Sequence, residues 1–412
     1  MVHISVQLKS AWRITGFIGG LQQVRWTRTP TSFSTKTRCC SPRVAQPAAN
    51  ELMRKNPPHF VSADGERNSQ RSVSDTCEQT RHVHYIMPPP LASENAALSF
   101  SAKAVVVLFP CFVIAFLYMG SVASVALSPL VFLPTLCMYW VWVCANNAHP
   151  ERRGKLEHMV WIYLVVSIGG TTILGVAQLL AYLVLVSVIM GDSAPEYWTE
   201  FLRGTVEGMS VEERSRRAEL AGTWQNWLLI ILFSFIMAGG FEEVLKYLPV
   251  TYAKHLDQKL EKRRDRTYLD FAVAGSLGIA TVECIGFLHD TYASGSHEWL
   301  APFVTLAQRL IAGSMGHILV AVLTSFRAIR SDFHGPKRSA LWAMAPSMLL
   351  HGSANMAVFV SCTMDGHVGW VHPTEMMSIV GLYGNYFCVV CIVAILAYRE
   401  HKLLLCLEGH AQ

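Results

Sequence analysis

Residues 227–252 read WLLIILFSFIMAGGFEEVLKYLPVTY, and apart from Glu242, Glu243 and Lys246 the stretch carries no charge. A hydrocarbon core about 30 Å thick takes about 20 residues of helix, so this segment is long and apolar enough to cross a bilayer. Further runs of that kind lie at 104–126, 127–145, 159–190, 271–288, 300–325, 341–361 and 376–398. The first two are contiguous and too long for one crossing, and Gly120, Pro129 and Pro134 offer places to break. The pattern predicts an all-α polytopic membrane protein, with about eight transmembrane helices around a polar intramembrane cavity and a disordered N-terminal extension.

Composition leads to the same class. Of 412 residues, 52% are apolar and 15% charged, against roughly 25% charged in an ordinary soluble domain. The net charge of +5 gives no sign of a nucleic-acid partner, because the basic residues sit in a tail and in short loops. Cysteines such as Cys111, Cys137, Cys388 and Cys391 lie in apolar runs and read as buried thiols, not as a disulfide framework.

Residues 1–95 form a polar, basic extension with no sustained apolar period. Its first half is rich in Arg, Ser and Thr and has no acid, as organelle transit peptides are. The alternative is that Met87 is the true start and the upstream segment a gene-model extension. Residues 96–398 then form the multi-pass domain, and 399–412 a short C-terminal tail.

Loop charge provides an independent check, since cytoplasmic-type loops carry excess Lys and Arg. Loops 146–158, 253–270 and 326–340 and the tail are basic. Residues 191–223 hold seven acids against four arginines, and 289–299 and 362–375 hold no Lys or Arg. This alternation puts both termini on the cytoplasmic-type side. No internal repeat is visible, which weighs against a transporter.

An ionisable side chain at membrane depth costs about 3 kcal/mol or more, so each one asks for a reason. Lys246 stands four residues after Glu242 and three after Glu243, so on a helix it reaches either carboxylate. Successive residues point about 100° apart, so one carboxylate can face a reaction centre while the lysine holds the other. Glu283 has no basic residue within four positions on its own helix and needs a partner from another one. Arg309 and His317 share the next span, and His351 and Asn355 lie on one face of the span after it.

Acid, base and oxyanion donors around one cavity are what peptide hydrolysis requires: a carboxylate takes a proton from water, and His and Asn donors stabilise the tetrahedral oxyanion. The same residues are metal-ligand types, although HExxH is absent. No Ser or Cys is placed as a nucleophile, and Cys284 and Cys388-x-x-Cys391 read as packing residues. The competing class is a proton or cation channel or carrier using the same carboxylates.

The ordered set EExxK (Glu242, Glu243, Lys246), a small-residue helix ending in Glu283, an intramembrane His317 and HGxxN (His351, Asn355) resembles the PrsW intramembrane proteases, in the wider superfamily of the CAAX prenyl endopeptidase. ALSPLVFLPTLCMYWVWVCANNAHPERRGK upstream is similar to that family's opening segment, so the resemblance covers about 125–395. It implies an intramembrane endopeptidase acting on a membrane protein or peptide within the bilayer, with a CAAX-type prenyl-protein substrate as an alternative. Carried over by residue, Glu242 is the base for water, Glu243 or Glu283 orients or ligates, and His317 activates water or binds a metal. His351 and Asn355 stabilise the oxyanion and Lys246 tunes the Glu pair. A metal, Zn2+ being the candidate, would draw on Glu243, Glu283, His317 and His351.

Two departures bear on the chemistry. Cys284 follows Glu283 where the family has Asn, and Asn355 stands where PrsW members have Asp. Asn suits an oxyanion donor better than a metal ligand, so the residues favour a glutamate-dependent mechanism over zinc.

Overall fold

A chain crosses hydrocarbon as helix or closed barrel, because no water is there to pair its backbone groups. The computed structural model describes residues 97–118, 122–146, 152–203, 208–260, 265–293, 300–369 and 376–409, and its regular structure is entirely helical. The expected disorder of 1–95 and the break at Gly120 lie outside the described residues.

In chain order the helices are α1 (Phe100–Tyr118), α2 (Val122–Val131), α3 (Leu133–Asn146), α4 (Leu156–Val165), α5 (Thr171–Met190), α6 (Ala194–Leu202), α7 (Val211–Gly222), α8 (Trp224–Leu232), α9 (Glu242–Leu260), α10 (Asp265–Ala293), α11 (Leu300–Gln308), α12 (Met315–Phe333), α13 (Ala340–Met364) and α14 (Met376–Gly409). Short π-helical stretches at Val166–Gly170, Phe233–Phe241 and Arg309–Ser314 join α4 to α5, α8 to α9 and α11 to α12 without a break.

Among the described residues, seven helical segments are long and apolar enough to cross a membrane: Phe100–Tyr118, Val125–Ala145, Leu156–Leu202, Trp224–Leu256, Asp265–His289, Thr305–Phe333 and Val380–Gly409. The remaining expected span, 341–361, folds as α13, whose 25 residues are long enough to cross. Its hydropathy is lowered by the polar residues it brings to the centre of the protein, His351 and Asn355 among them. Pro129 lies inside α2, and Pro134 in the first turn of α3.

Helix α10 is the axis of the bundle. Of its apolar window 83% is buried, against 17% for α14, which lies mostly against lipid. The thiols follow this division. Cys284 on α10 is buried, whereas Cys111, Cys137 and Cys388 are exposed. Their apolar surroundings are therefore lipid and not protein core, which corrects the sequence reading.

Outside the membrane, α7 begins with a capping box: Ser210 Oγ accepts from Glu213 N at 3.2 Å and Ser210 N donates to Glu213 Oε2 at 2.7 Å. The buried Arg217 of α7 donates to the carbonyls of Arg203 (3.1 Å) and Val368 (2.8 Å), fastening α6 and the turn after α13 together.

The tightest approach that positions the site is between the π-helical stretch Phe233–Phe241 and α13. A Cβ on Gly239 would stand 2.6 Å from the Met348 carbonyl oxygen, and one on Gly352 would stand 2.4 Å from the Phe235 ring. Glycine at both places lets the two backbones touch. The stretch ends at Phe241, directly before Glu242, so this contact sets how far the glutamate pair lies from His351.

Candidate active site

Three buried carboxylates meet near mid-span, each from a defined place. Glu242 and Glu243 open α9 directly after the π-helical stretch and are 1% exposed. Glu283 comes from α10, and His317 is the third residue of α12, just after the other π-helical stretch, Arg309–Ser314. His351 and Asn355 follow one another by a turn of α13. A π-helical turn adds a residue to the helical circuit and re-aims the side chains after it, and such turns concentrate at functional sites.

The carboxylates are partnered unequally. Lys246 Nζ donates to Glu243 Oε1 at 2.6 Å and lies 3.8 Å from Glu242 Oε2. His351 Nδ1 donates to the same Glu243 oxygen at 2.9 Å. With that proton on Nδ1, His351 keeps a lone pair on Nε2, which faces Glu242 Oε2 at 3.6 Å. Lys246 and His351 Nδ1 are also 3.4 Å apart, but two donors to one oxygen are better described as a shared clamp on Glu243 than as a bond to each other.

Glu283 finds its partner on the neighbouring helix, as its own helix required: Arg309 Nη2 donates to Oε2, and His317 Nε2 donates to the same atom at 3.0 Å. The Arg309 guanidinium is also seated 4.1 Å over the Phe287 ring. A Cβ at position 313 would come within 3.3 Å of that guanidinium carbon, so Gly313 makes its room. Ser276 Oγ of α10 donates to the His317 carbonyl at 2.6 Å and holds the histidine's backbone.

A cavity of about 90 Å³ opens against this cluster, its polar end lined by Lys246, Glu283, Arg309, His317, His351 and Asn355. Its far side is apolar and includes Leu382 and Val393 of α14, so the last span walls the cavity together with the helices that carry the polar residues. Glu242 touches the cavity only through its neighbours. The Asn355 Nδ2 donor is buried and has no hydrogen-bond partner among the described residues, and the same is true of the Glu242 Oε2 and His317 Nδ1 acceptors.

The PrsW family of intramembrane metalloproteases matches the chain over residues 157–396, more than half its length. The chain belongs to the PrsW family. It is therefore an intramembrane protease, embedded in lipid as a multi-pass protein and acting on membrane protein. The match begins at residue 157, so the part of the resemblance running from 125 to 156 falls outside it. No curated protein and no solved structure matches the chain.

A metal is implied by the family's description, and the donor set can be tested for it. One ligand atom each from Glu242, Glu283 and His317 falls within 4.8 Å of the others. Glu242 and His317 of this group each carry a buried acceptor without a partner among the described residues, and carboxylate oxygen and imidazole nitrogen are the donors that zinc takes in three-ligand catalytic sites. The residues fit. Of the ligands expected from sequence, Glu283 and His317 are in the group. Glu243 and His351 stand outside it, engaged with Lys246 and each other, and Glu242 takes the place. What sequence reasoning missed was the role of Arg309, visible as an intramembrane cation without an assigned partner, and that of Ser276, which had no signal at all.

Lys246 separates structure from chemistry. Lys246→Met leaves Glu243 without its cation and should lower both the melting temperature and proteolysis, whereas Lys246→Arg should retain most of the stability. Normal accumulation and cleavage by the Met variant would show that the lysine is not the partner of Glu243.

Proposed function

We propose that the protein hydrolyses a peptide bond of a membrane-embedded protein or peptide through a water activated by Glu242. One observation carries this reading. Of three carboxylates at membrane depth, Glu243 has Lys246 at 2.6 Å and Glu283 has Arg309, while Glu242 accepts no hydrogen bond from a cation and lies 3.8 Å from Lys246; an oxygen of Glu242 and one of Glu243 are buried without a partner among the described residues. A carboxylate so loosely compensated at that depth is costly and is kept where chemistry needs it.

In this reading Glu242 accepts the proton of the attacking water at Oε2. Glu243, clamped by Lys246, holds His351 in one tautomer and orientation, so that His351 Nε2 stands ready beside Glu242. Arg309 fixes Glu283, and Glu283 in turn orients His317. The idle Nδ2 of Asn355 supplies a donor for the developing oxyanion, and His351, once protonated at Nε2, supplies a second. Glu242, Glu283 and His317 would hold a divalent metal, which would supply Lewis acidity toward water and carbonyl. The family's description and this ligand group support the metal-dependent branch over the metal-free one that Asn355 favoured on sequence grounds.

The test is purified protein incubated with a panel of membrane-anchored peptides, with metal content measured in parallel. About one zinc per chain should be found in active protein and be lost from Glu283→Gln and His317→Ala. Exhaustive chelation should abolish cleavage and added zinc should restore it. Full activity in metal-free protein would return the mechanism to glutamate alone.

Orientation follows from loop charge: the basic loops and the tail lie on the cytoplasmic-type side, with 191–223 and 362–375 opposite. Ser331, near the end of α12, is buried and its Oγ accepts from Arg338 N, so the exposed Lys337 is the better reporter on that side. Single cysteines at Glu212 and Lys337, in a cysteine-free background, should react with an impermeant maleimide from opposite sides of sealed membranes. Labelling of both from one side would rule out the eight-crossing arrangement.

A further inference from the structure

The basic end of the bundle holds a cluster that proteolysis does not use. Trp342, in the first turn of α13, is surrounded by three guanidiniums: Arg327 Cζ stands 3.9 Å from the ring centroid, Arg338 Cζ 4.7 Å and Arg330 Cζ 5.0 Å. Two come from the last turns of α12 and the third from the turn into α13. Their placement is built rather than incidental. Arg327 Nη2 donates to the Trp342 carbonyl at 2.8 Å, and Arg338 N donates to Ser331 Oγ at 2.7 Å.

Charge in the cluster is unbalanced. Among the described residues, Glu400 of α14 is the carboxylate that meets these arginines, at 3.2 Å from Arg327 Nη1 and 3.2 Å from Arg330 Nη2. Arg338 is exposed, as is its neighbour Lys337, and neither pairs with a carboxylate among the described residues. Three cations held around one ring, with one anion between them, leave a surplus of positive charge at the ends of three membrane helices.

We propose that this cluster binds the phosphate of an anionic phospholipid headgroup. Guanidinium forks match phosphate oxygens in geometry and charge. Basic pockets between membrane helices at headgroup level are where such lipids are held, and an indole at this depth is an interfacial anchor. Exposed apolar side chains adjoin the cluster in sequence, Leu341 next to Trp342 and Tyr398 two residues before Glu400, each 59% exposed, and offer acyl chains a surface. A soluble anion would find the charge but have no use for that apolar flank. Because α12, α13 and α14 also line the cavity, a headgroup seated here ties together the ends of the helices that form it.

The full chain is reconstituted in nanodiscs of phosphatidylcholine, of phosphatidylcholine with phosphatidylglycerol, and of phosphatidylcholine with millimolar inorganic phosphate. Thermal midpoint and lipid retained in native mass spectrometry are read for each. Phosphatidylglycerol should raise the midpoint by a few degrees and be retained selectively, and inorganic phosphate should do neither. Arg338→Gln leaves both Glu400 pairs intact, so it should melt as wild type in phosphatidylcholine. It should hold phosphatidylglycerol about tenfold more weakly, as expected for one lost charge-assisted hydrogen bond. The triple change Arg327→Gln, Arg330→Gln, Arg338→Gln should remove selectivity altogether. Equal stabilisation by inorganic phosphate would make this a free-anion site and overturn the lipid assignment. So would equal behaviour in the two lipids, or undiminished retention by Arg338→Gln.

Discussion

Glu242→Gln should lower cleavage of a membrane-anchored peptide by two to four orders of magnitude, roughly the range general acid–base groups contribute. It should do so without loss of folded protein. Glutamine keeps the size of the side chain and removes a charge that no cation within hydrogen-bond distance balances, so the melting temperature should hold or rise. Glu243→Gln makes the contrast. It takes the carboxylate from Lys246 and from His351 Nδ1 together, 2.6 Å and 2.9 Å away, and should therefore lower stability as well as rate. Near wild-type cleavage by Glu242→Gln would end the assignment of that residue. Equal destabilisation by the two variants would show that the two glutamates do not divide the work as the geometry divides them.

Gly239→Ala should be among the most damaging single methyls at the described positions. The added Cβ would stand 2.6 Å from the Met348 carbonyl oxygen and 3.0 Å from Gly352 N, both of them backbone atoms that cannot swing aside. The π-helical stretch and α13 must part, and Glu242 and Glu243 move with the former while His351 and Asn355 stay with the latter. A misplacement of about 1 Å can cost about a hundredfold in rate, so proteolysis should fall by that order along with a lower melting temperature. Gly240→Ala, whose Cβ would meet Phe235 O at 3.4 Å and otherwise a flexible methionine end, should be milder. If the two alanines behave alike, close backbone contact does not set the site.

Much of the site was legible in the chain because membrane depth makes it so. A carboxylate or histidine in an apolar run stands out against its neighbours, and Glu242, Glu243, Glu283, His317, His351 and Asn355 were found that way. The spacing of Lys246 to both glutamates was readable because three and four residues along a helix are contacts by construction. Choosing between the two was not. Both spacings are permitted, and the preference for Glu243 comes from His351 arriving on a different helix to share the same oxygen.

The sequence by itself determined the class of protein, the approximate crossings and the residues of the candidate site, since all three follow from local hydropathy and from the cost of charge in hydrocarbon. The tertiary structure alone decided who pairs with whom. Arg309 crosses from the turn before α12 to neutralise Glu283 on α10, and Gly239 lies on Gly352 so that Glu243 meets His351. Glu242 is left with only the looser contact to Lys246, 3.8 Å away, beside Glu283 and His317. Pairing between helices depends on their separation and rotation, quantities set by packing across the bundle and written in no single helix.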